Sequence, residues 1–99
     1  MNRSVYRIVF RSEVDMAVVE DTLLTAVLSV GCIHGQAALR LEVSYAMDAK
    51  KRSVVIDATD PLGQSVARVF VGMCSHEFGD TAYSVSRAGG PVAIETVAA

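Results

Sequence analysis

Two Cys-x-His pairs are the residues in this sequence whose types and spacing could do chemistry. One pair is Cys32 with His34, and the other is Cys74 with His76. Thiolate and imidazole are common zinc ligands, so the pairs suggest a metal centre. Each pair ends a predicted helix, and antiparallel helices would hold the pairs at opposite ends of a layer about 25 Å long. We therefore predict no metal site and no cofactor within one chain; a metal bridging two chains stays open.

Nucleophilic catalysis by either cysteine meets a second geometric problem. Residues two apart on a helix point about 200° apart, so the histidine of each pair does not face its cysteine. Free cysteines usually serve as small buried apolar residues instead. Acidic residues crowd the start of the first predicted helix, where the helix dipole accounts for them better than catalysis does; they are Glu13, Asp15, Glu20 and Asp21. The sequence therefore favours a protein that is not an enzyme.

Three arginines are candidates for contact with an anion. Arg7 and Arg11 alternate with apolar residues in one predicted strand, and Arg40 does so in another. Alternation would point all three away from the core. Cross-strand ion pairs with Asp57 and Glu42 would explain the same arginines without any ligand. The pairing explanation is favoured, and the anion contact is kept as the alternative.

Composition excludes several other functions. The chain has 99 residues with a net charge of −2, so it has no overall attraction for nucleic acid or for anionic membranes. No glycine-rich phosphate loop and no dinucleotide-binding pattern occurs. The longest apolar run, residues 22–33, is shorter than the roughly twenty residues that a membrane span needs. No signal peptide precedes the first strand, and two cysteines do not make a disulfide framework, so we expect a cytoplasmic protein.

The first half of the chain predicts one strand, one helix and a second strand. Residues 5–11 alternate, which places Tyr6, Ile8 and Phe10 towards the core. Residues 12–15 offer helix-capping groups, and apolar residues at helical spacing then run over 16–32. Residues 38–46 alternate again, with Tyr45 on the inner side. Residues 47–51 are polar and predict a turn.

The second half predicts a strand, a helix and a final strand. Residues 52–58 complete a hairpin, with Val54 and Ile56 inward and Ser53, Val55 and Asp57 outward. A helix follows between an N-cap at Asp60, with Pro61 in its first turn, and a stop at Gly79. Residues 81–87 form the last strand, with Tyr83 and Val85 inward.

This order of elements predicts the fold. Strand, helix, strand, strand, helix, strand is most simply packed as a four-stranded antiparallel sheet with both helices on one face. This is the ferredoxin-like α+β plait. We assign residues 1–87 to this single domain. Residues 88–99 are then a C-terminal tail that is either flexible or an added edge strand.

Surplus apolar surface on the two helices gives the leading hypothesis for function. Leu24 and Leu28 on the first helix, with Val71 and Phe78 on the second, extend beyond the stripe that a sheet contact needs. We predict a small non-enzymatic module that self-associates as a homodimer and binds a small ligand or a protein partner. The alternative is an enzyme of the dimeric α+β barrel type, with a pocket between two facing sheets.

Overall fold

The computed structural model describes residues 4–35, 37 and 44–88, and within them the predicted order of elements is confirmed. The strands are β1 (Val5–Phe10), β2 (Ser44–Asp48), β3 (Ser53–Asp57) and β4 (Tyr83–Ala88). The helices are α1 (Met16–His34) and α2 (Pro61–Phe78). Ala88, the first residue of the predicted tail 88–99, belongs to β4. The rest of that tail, and the part of the second strand predicted over 38–43, lie outside the described residues.

The sheet has the strand order β2-β3-β1-β4, and all neighbouring strands are antiparallel. β1 is therefore central, with Ile8 opposite both Val54 of β3 and Val85 of β4. Each helix connects two strands that are separated by one strand in the sheet, which is the split βαβ arrangement. The protein is a ferredoxin-like α+β plait, as the sequence predicts.

The core forms between one face of the sheet and the two helices. The sheet contributes the buried Ile8, Phe10, Val54 and Ile56; α1 contributes Val19, Leu23, Ala26 and Val30; and α2 contributes Leu62, Val66, Phe70 and Cys74. The Phe10 ring packs edge-on against Phe70, with centroids 6.3 Å apart. The inward sets predicted from alternation in β1 and β3 are thus confirmed.

The helix ends follow the local sequence. Asp15 caps α1, its Oδ1 accepting a hydrogen bond from the backbone N–H of Ala17 at 2.9 Å. Both helices stop at a glycine with positive φ, Gly35 at 97° and Gly79 at 91°, a backbone conformation that glycine adopts without steric penalty. Asp60 occupies the N-cap position of α2, although its side chain makes no capping hydrogen bond.

Three sequence predictions need correction at element boundaries. α1 continues two residues past the predicted end at Cys32. Met47 belongs to β2 rather than to the turn, because the turn tightens over residues 49–52 and the Arg52 N–H donates to the Ala49 carbonyl at 3.2 Å. Ser53 lies on the predicted outward side but is only 2% exposed. Its cross-strand neighbours are Val9 and Asp48.

Judged by length and composition alone, α1 could cross a membrane, since its mean hydropathy reaches 1.7 over an 18-residue window. Of that window, 39% is buried inside the fold. Core helices pass the same test, and α1 supplies four buried side chains to the core described above.

Candidate functional site

The outer face of the sheet brings together several of the polar residues that alternation predicts to point outward. Every second residue of each of the four strands points to this face, and the strand register aligns these residues in three rows. The middle row is Ala46, Val55, Arg7 and Ser86, one residue from each strand. No described helix covers this face, because the core cluster that contains residues of both helices is built on the opposite side of the sheet.

Apolar and small side chains dominate the centre of this outer face. Val9 is 37% exposed, and Val5 and Val55 are half-buried. Serines occupy the β4 side, where Ser84 pairs with Val9 and Ser86 with Arg7. Alternation identified most of this set from the sequence. The same alternation places Val5 with Arg7 and Ala46 with Ser44, and the register adds which residues of different strands lie side by side.

Charge on the outer face is sparse and of both signs. Arg7 is exposed near the middle, while Asp48 is exposed at one end of β2. Within the part of the chain that the structure describes, no carboxylate lies within ion-pair distance of Arg7. Asp57 is half-buried and its Oδ1 accepts a hydrogen bond from the Thr59 N–H at 3.0 Å. The face is therefore an apolar patch with a central cation and acids near its margin.

The arginines predicted to contact an anion do not form a compact cluster. Arg7 and Arg11 are four residues apart along an extended chain, so their Cα atoms are about 13 Å apart. Arg11 lies near Glu13, with Nε 3.6 Å from Oε2, and both side chains are well exposed. An exposed pair of this kind contributes about 0–1 kcal/mol. Arg40, the third predicted member, lies outside the described residues.

The four residues predicted for an interface lie on two different sides of the helix layer. Leu24 and Leu28 are 46% and 59% exposed. They lie on the solvent-facing side of α1, because the buried residues Val19, Leu23, Ala26 and Val30 occupy the side that faces the sheet. Val71 and Phe78 are half-buried on the opposite side of α2, and the Phe78 ring lies 6.1 Å from that of Phe10.

The Cys-x-His pairs divide into exposed and buried thiols. Cys32, His34 and His76 are exposed, whereas Cys74 is completely buried in the core. Among the described residues, no group of three or more histidine, cysteine or acidic side chains is positioned to share a metal ion. Burial raises the pKa of the Cys74 thiol to about 12, which keeps it protonated at neutral pH.

The two cysteines should therefore differ sharply in reactivity towards a thiol reagent such as dithionitrobenzoate. We expect one thiol per native chain to react quickly, and mass spectrometry should place the label on Cys32. Cys74 should react only after unfolding, because its thiolate is disfavoured and it is inaccessible. Rapid labelling of Cys74 in native protein would contradict its position in the core. A Cys32→Ser variant provides the control, since it should show no fast phase.

The burial of Cys74 also predicts that the free energy of unfolding depends on pH, in a direction that follows from the pKa of the thiol. Its pKa rises from 9.0 when exposed to about 12 when buried, so above pH 9 the unfolded chain loses a proton that the native chain keeps. The unfolded state then binds fewer protons, and the free energy of unfolding falls with pH. The free energy of unfolding therefore decreases between pH 9 and about pH 12. A Cys74→Ala variant should show a weaker pH dependence there.

Fold and surface together define the class of this protein, an α+β plait whose outer sheet face is covered by neither of the described helices. The sequence matches no protein-family model, and no curated protein or solved structure matches the chain.

Proposed function

We propose that this chain is a non-enzymatic module that forms a homodimer through the outer face of its sheet. The observation that carries the proposal is the outer sheet face, which no described helix covers and which has an apolar centre around Val9 and Val55. Apolar centres surrounded by polar residues are typical of contact surfaces between proteins. The face carries charges of both signs, with Arg7 exposed near its middle and Asp48 exposed at one end of β2. A two-fold axis that passes between these two residues would place each arginine opposite the acid of the partner.

The size of the face sets the expected affinity. Four strands spaced about 4.8 Å apart and about six residues long cover on the order of 400 Å² per chain. Two such faces bury about 800 Å², which is below the roughly 1,200 Å² of a standard stable interface. We therefore expect a concentration-dependent equilibrium between monomer and dimer rather than a permanent dimer.

Sedimentation velocity over a range of protein concentrations tests the proposal. A Val9→Lys variant should stay monomeric at concentrations where the wild type dimerises, because each dimer would have to bury two extra charges. Leu24→Lys is the matched control: it adds the same charge to an exposed apolar residue on α1 and should leave dimerisation unchanged. Loss of the dimer in the Leu24 variant alone would move the interface to the helix surface. A wild type that remains monomeric at every concentration would contradict the proposal.

The enzymatic alternative requires the facing sheets to enclose a reactive site. On the described strands, the outer face carries valine, alanine, serine, aspartate and one arginine, and it carries neither histidine nor cysteine. This composition supports a contact surface more than a catalytic pocket. The alternative would be favoured if a dimer structure enclosed a cavity between the sheets.

A further inference from the structure

A second surface feature lies on the other side of the sheet, between α2 and the β1–β4 edge. It is a cleft of about 650 Å³, within the range of roughly 300–1,000 Å³ that small-molecule sites occupy. Ala58 and Ala67 are its buried, small residues, and Tyr6, Val71 and Val85 are half-buried along its sides. The lining is therefore mainly apolar, with an aromatic ring among its members.

Two arginines are among the residues that line this cleft. Arg68 comes from α2 and Arg87 from the end of β4, and both are exposed. Arg87 is held in place, since its Nη2 donates a hydrogen bond to Ser4 Oγ at 3.0 Å and its Cζ lies 6.0 Å from the centroid of the Tyr6 ring. Within residues 4–35, 37 and 44–88, neither guanidinium has a carboxylate within ion-pair distance.

The strand register explains how a cation comes to lie on the core side of the sheet. Tyr83, Val85 and Arg87 alternate along β4, so Arg87 points to the same side as two apolar residues and is opposite Tyr6. Alternation in the sequence could have identified Arg87 as an inward-facing charge. Arg68 could not have been linked to it, because the two arginines line the same cleft only once α2 and β4 have packed in the fold.

We propose that this cleft binds a small carboxylate with a compact apolar body. Arg68 and Arg87 bind the carboxylate, a pairing that planar guanidinium groups make with good geometry. The apolar body packs against Tyr6, Val71 and Val85. The site is independent of dimerisation, because the cleft and the outer face lie on opposite sides of the sheet.

The test is a titration of the isotope-labelled full-length protein with 3-phenylpropionate, followed by amide chemical shifts. We expect saturable shifts centred on Tyr6, Val71 and Val85. Two probes separate the halves of the ligand: 3-phenylpropanol keeps the ring without the charge, and inorganic phosphate keeps a charge without the ring. Each should bind about tenfold more weakly, the effect of losing one charge-assisted or apolar contact. Phosphate binding as tight as that of phenylpropionate would overturn the proposed ligand class.

Variants identify the residues that bind. Arg87→Gln and Arg68→Gln should each weaken phenylpropionate binding about tenfold. Lys50→Gln, which removes the same charge from an exposed position in the β2–β3 turn, should leave it unchanged. Equal losses in all three variants would indicate non-specific attraction and overturn the site. Shifts that do not saturate, or that centre elsewhere, would do the same. Arg68 is exposed on a helix, so its variant tests the proposal even if the Arg87 variant does not fold.

Discussion

Replacing Gly63 with alanine should lower the free energy of unfolding by about 3 kcal/mol, a large part of the roughly 5–15 kcal/mol that stabilises a domain. A Cβ atom on Gly63 would lie 2.1 Å from the carbonyl oxygen of Asp57 and 3.2 Å from the Cα of Ala58. Both are backbone atoms, so no flexible side chain can move aside. The first turn of α2 would have to shift away from the end of β3.

Gly72 in the same helix provides a matched control for this prediction. A Cβ there would meet nothing within 4 Å, so Gly72→Ala adds a methyl group without a clash. Alanine is favoured over glycine within a helix by about 0.5–1 kcal/mol, and we expect this variant to be more stable than the wild type by that amount. Urea denaturation followed by circular dichroism measures both. Equal stability of the Gly63 variant and the wild type would contradict the close packing of α2 on β3.

Replacing Arg52 with alanine should lower the free energy of unfolding by about 2 kcal/mol. The Arg52 side chain joins the β2–β3 turn to the loop between β1 and α1. Its Nε donates to the carbonyl of Phe10 at 3.3 Å, and its Nη2 donates to the carbonyls of Arg11 and Val14. Truncation removes hydrogen bonds from a charged donor and leaves partly buried carbonyl groups without that partner.

The backbone of Arg52 allows the side-chain contribution to be separated from strain. Its φ of 52° lies in the left-handed region, which is unfavourable by about 1 kcal/mol for a residue other than glycine. Arg52→Gly removes this strain together with the guanidinium, so it should be about 1 kcal/mol more stable than Arg52→Ala but less stable than the wild type. Arg52→Lys keeps the charge but not the planar fork, and should fall between the wild type and Arg52→Ala.

The same denaturation experiment can contradict this prediction. If Arg52→Gly were as stable as the wild type, the guanidinium contacts would contribute only as much as the strain that glycine relieves, about 1 kcal/mol, which is half of the expected contribution. If all three Arg52 variants lost the same amount, the loss would follow from the turn itself rather than from the hydrogen-bond geometry.

Much of the fold follows from local patterns in the sequence. Strict alternation around Ile8 and around Val54 determines which face of each strand is buried, because a one-residue shift would bury arginine or aspartate. Asp15 and Gly35 bound the first helix, and Pro61 and Gly79 bound the second, through hydrogen bonding and backbone freedom that depend only on neighbouring residues. Once six elements are in this order, connection rules leave few ways to pack them.

What the sequence alone determined is thus the element order, the buried faces and the fold class, all of which depend on interactions between residues a few positions apart. Tertiary structure alone decided the contacts between distant segments. In the sequence, Gly63 is only an isolated glycine within a helix. The structure shows that the carbonyl of Asp57 lies close beside it. Arg52 contacts residues about forty positions away, and Arg68 and Arg87 line the same cleft although they are far apart in the sequence. Apolar periodicity and helix capping do not predict contacts between distant segments, because such contacts depend on how whole helices and strands pack together.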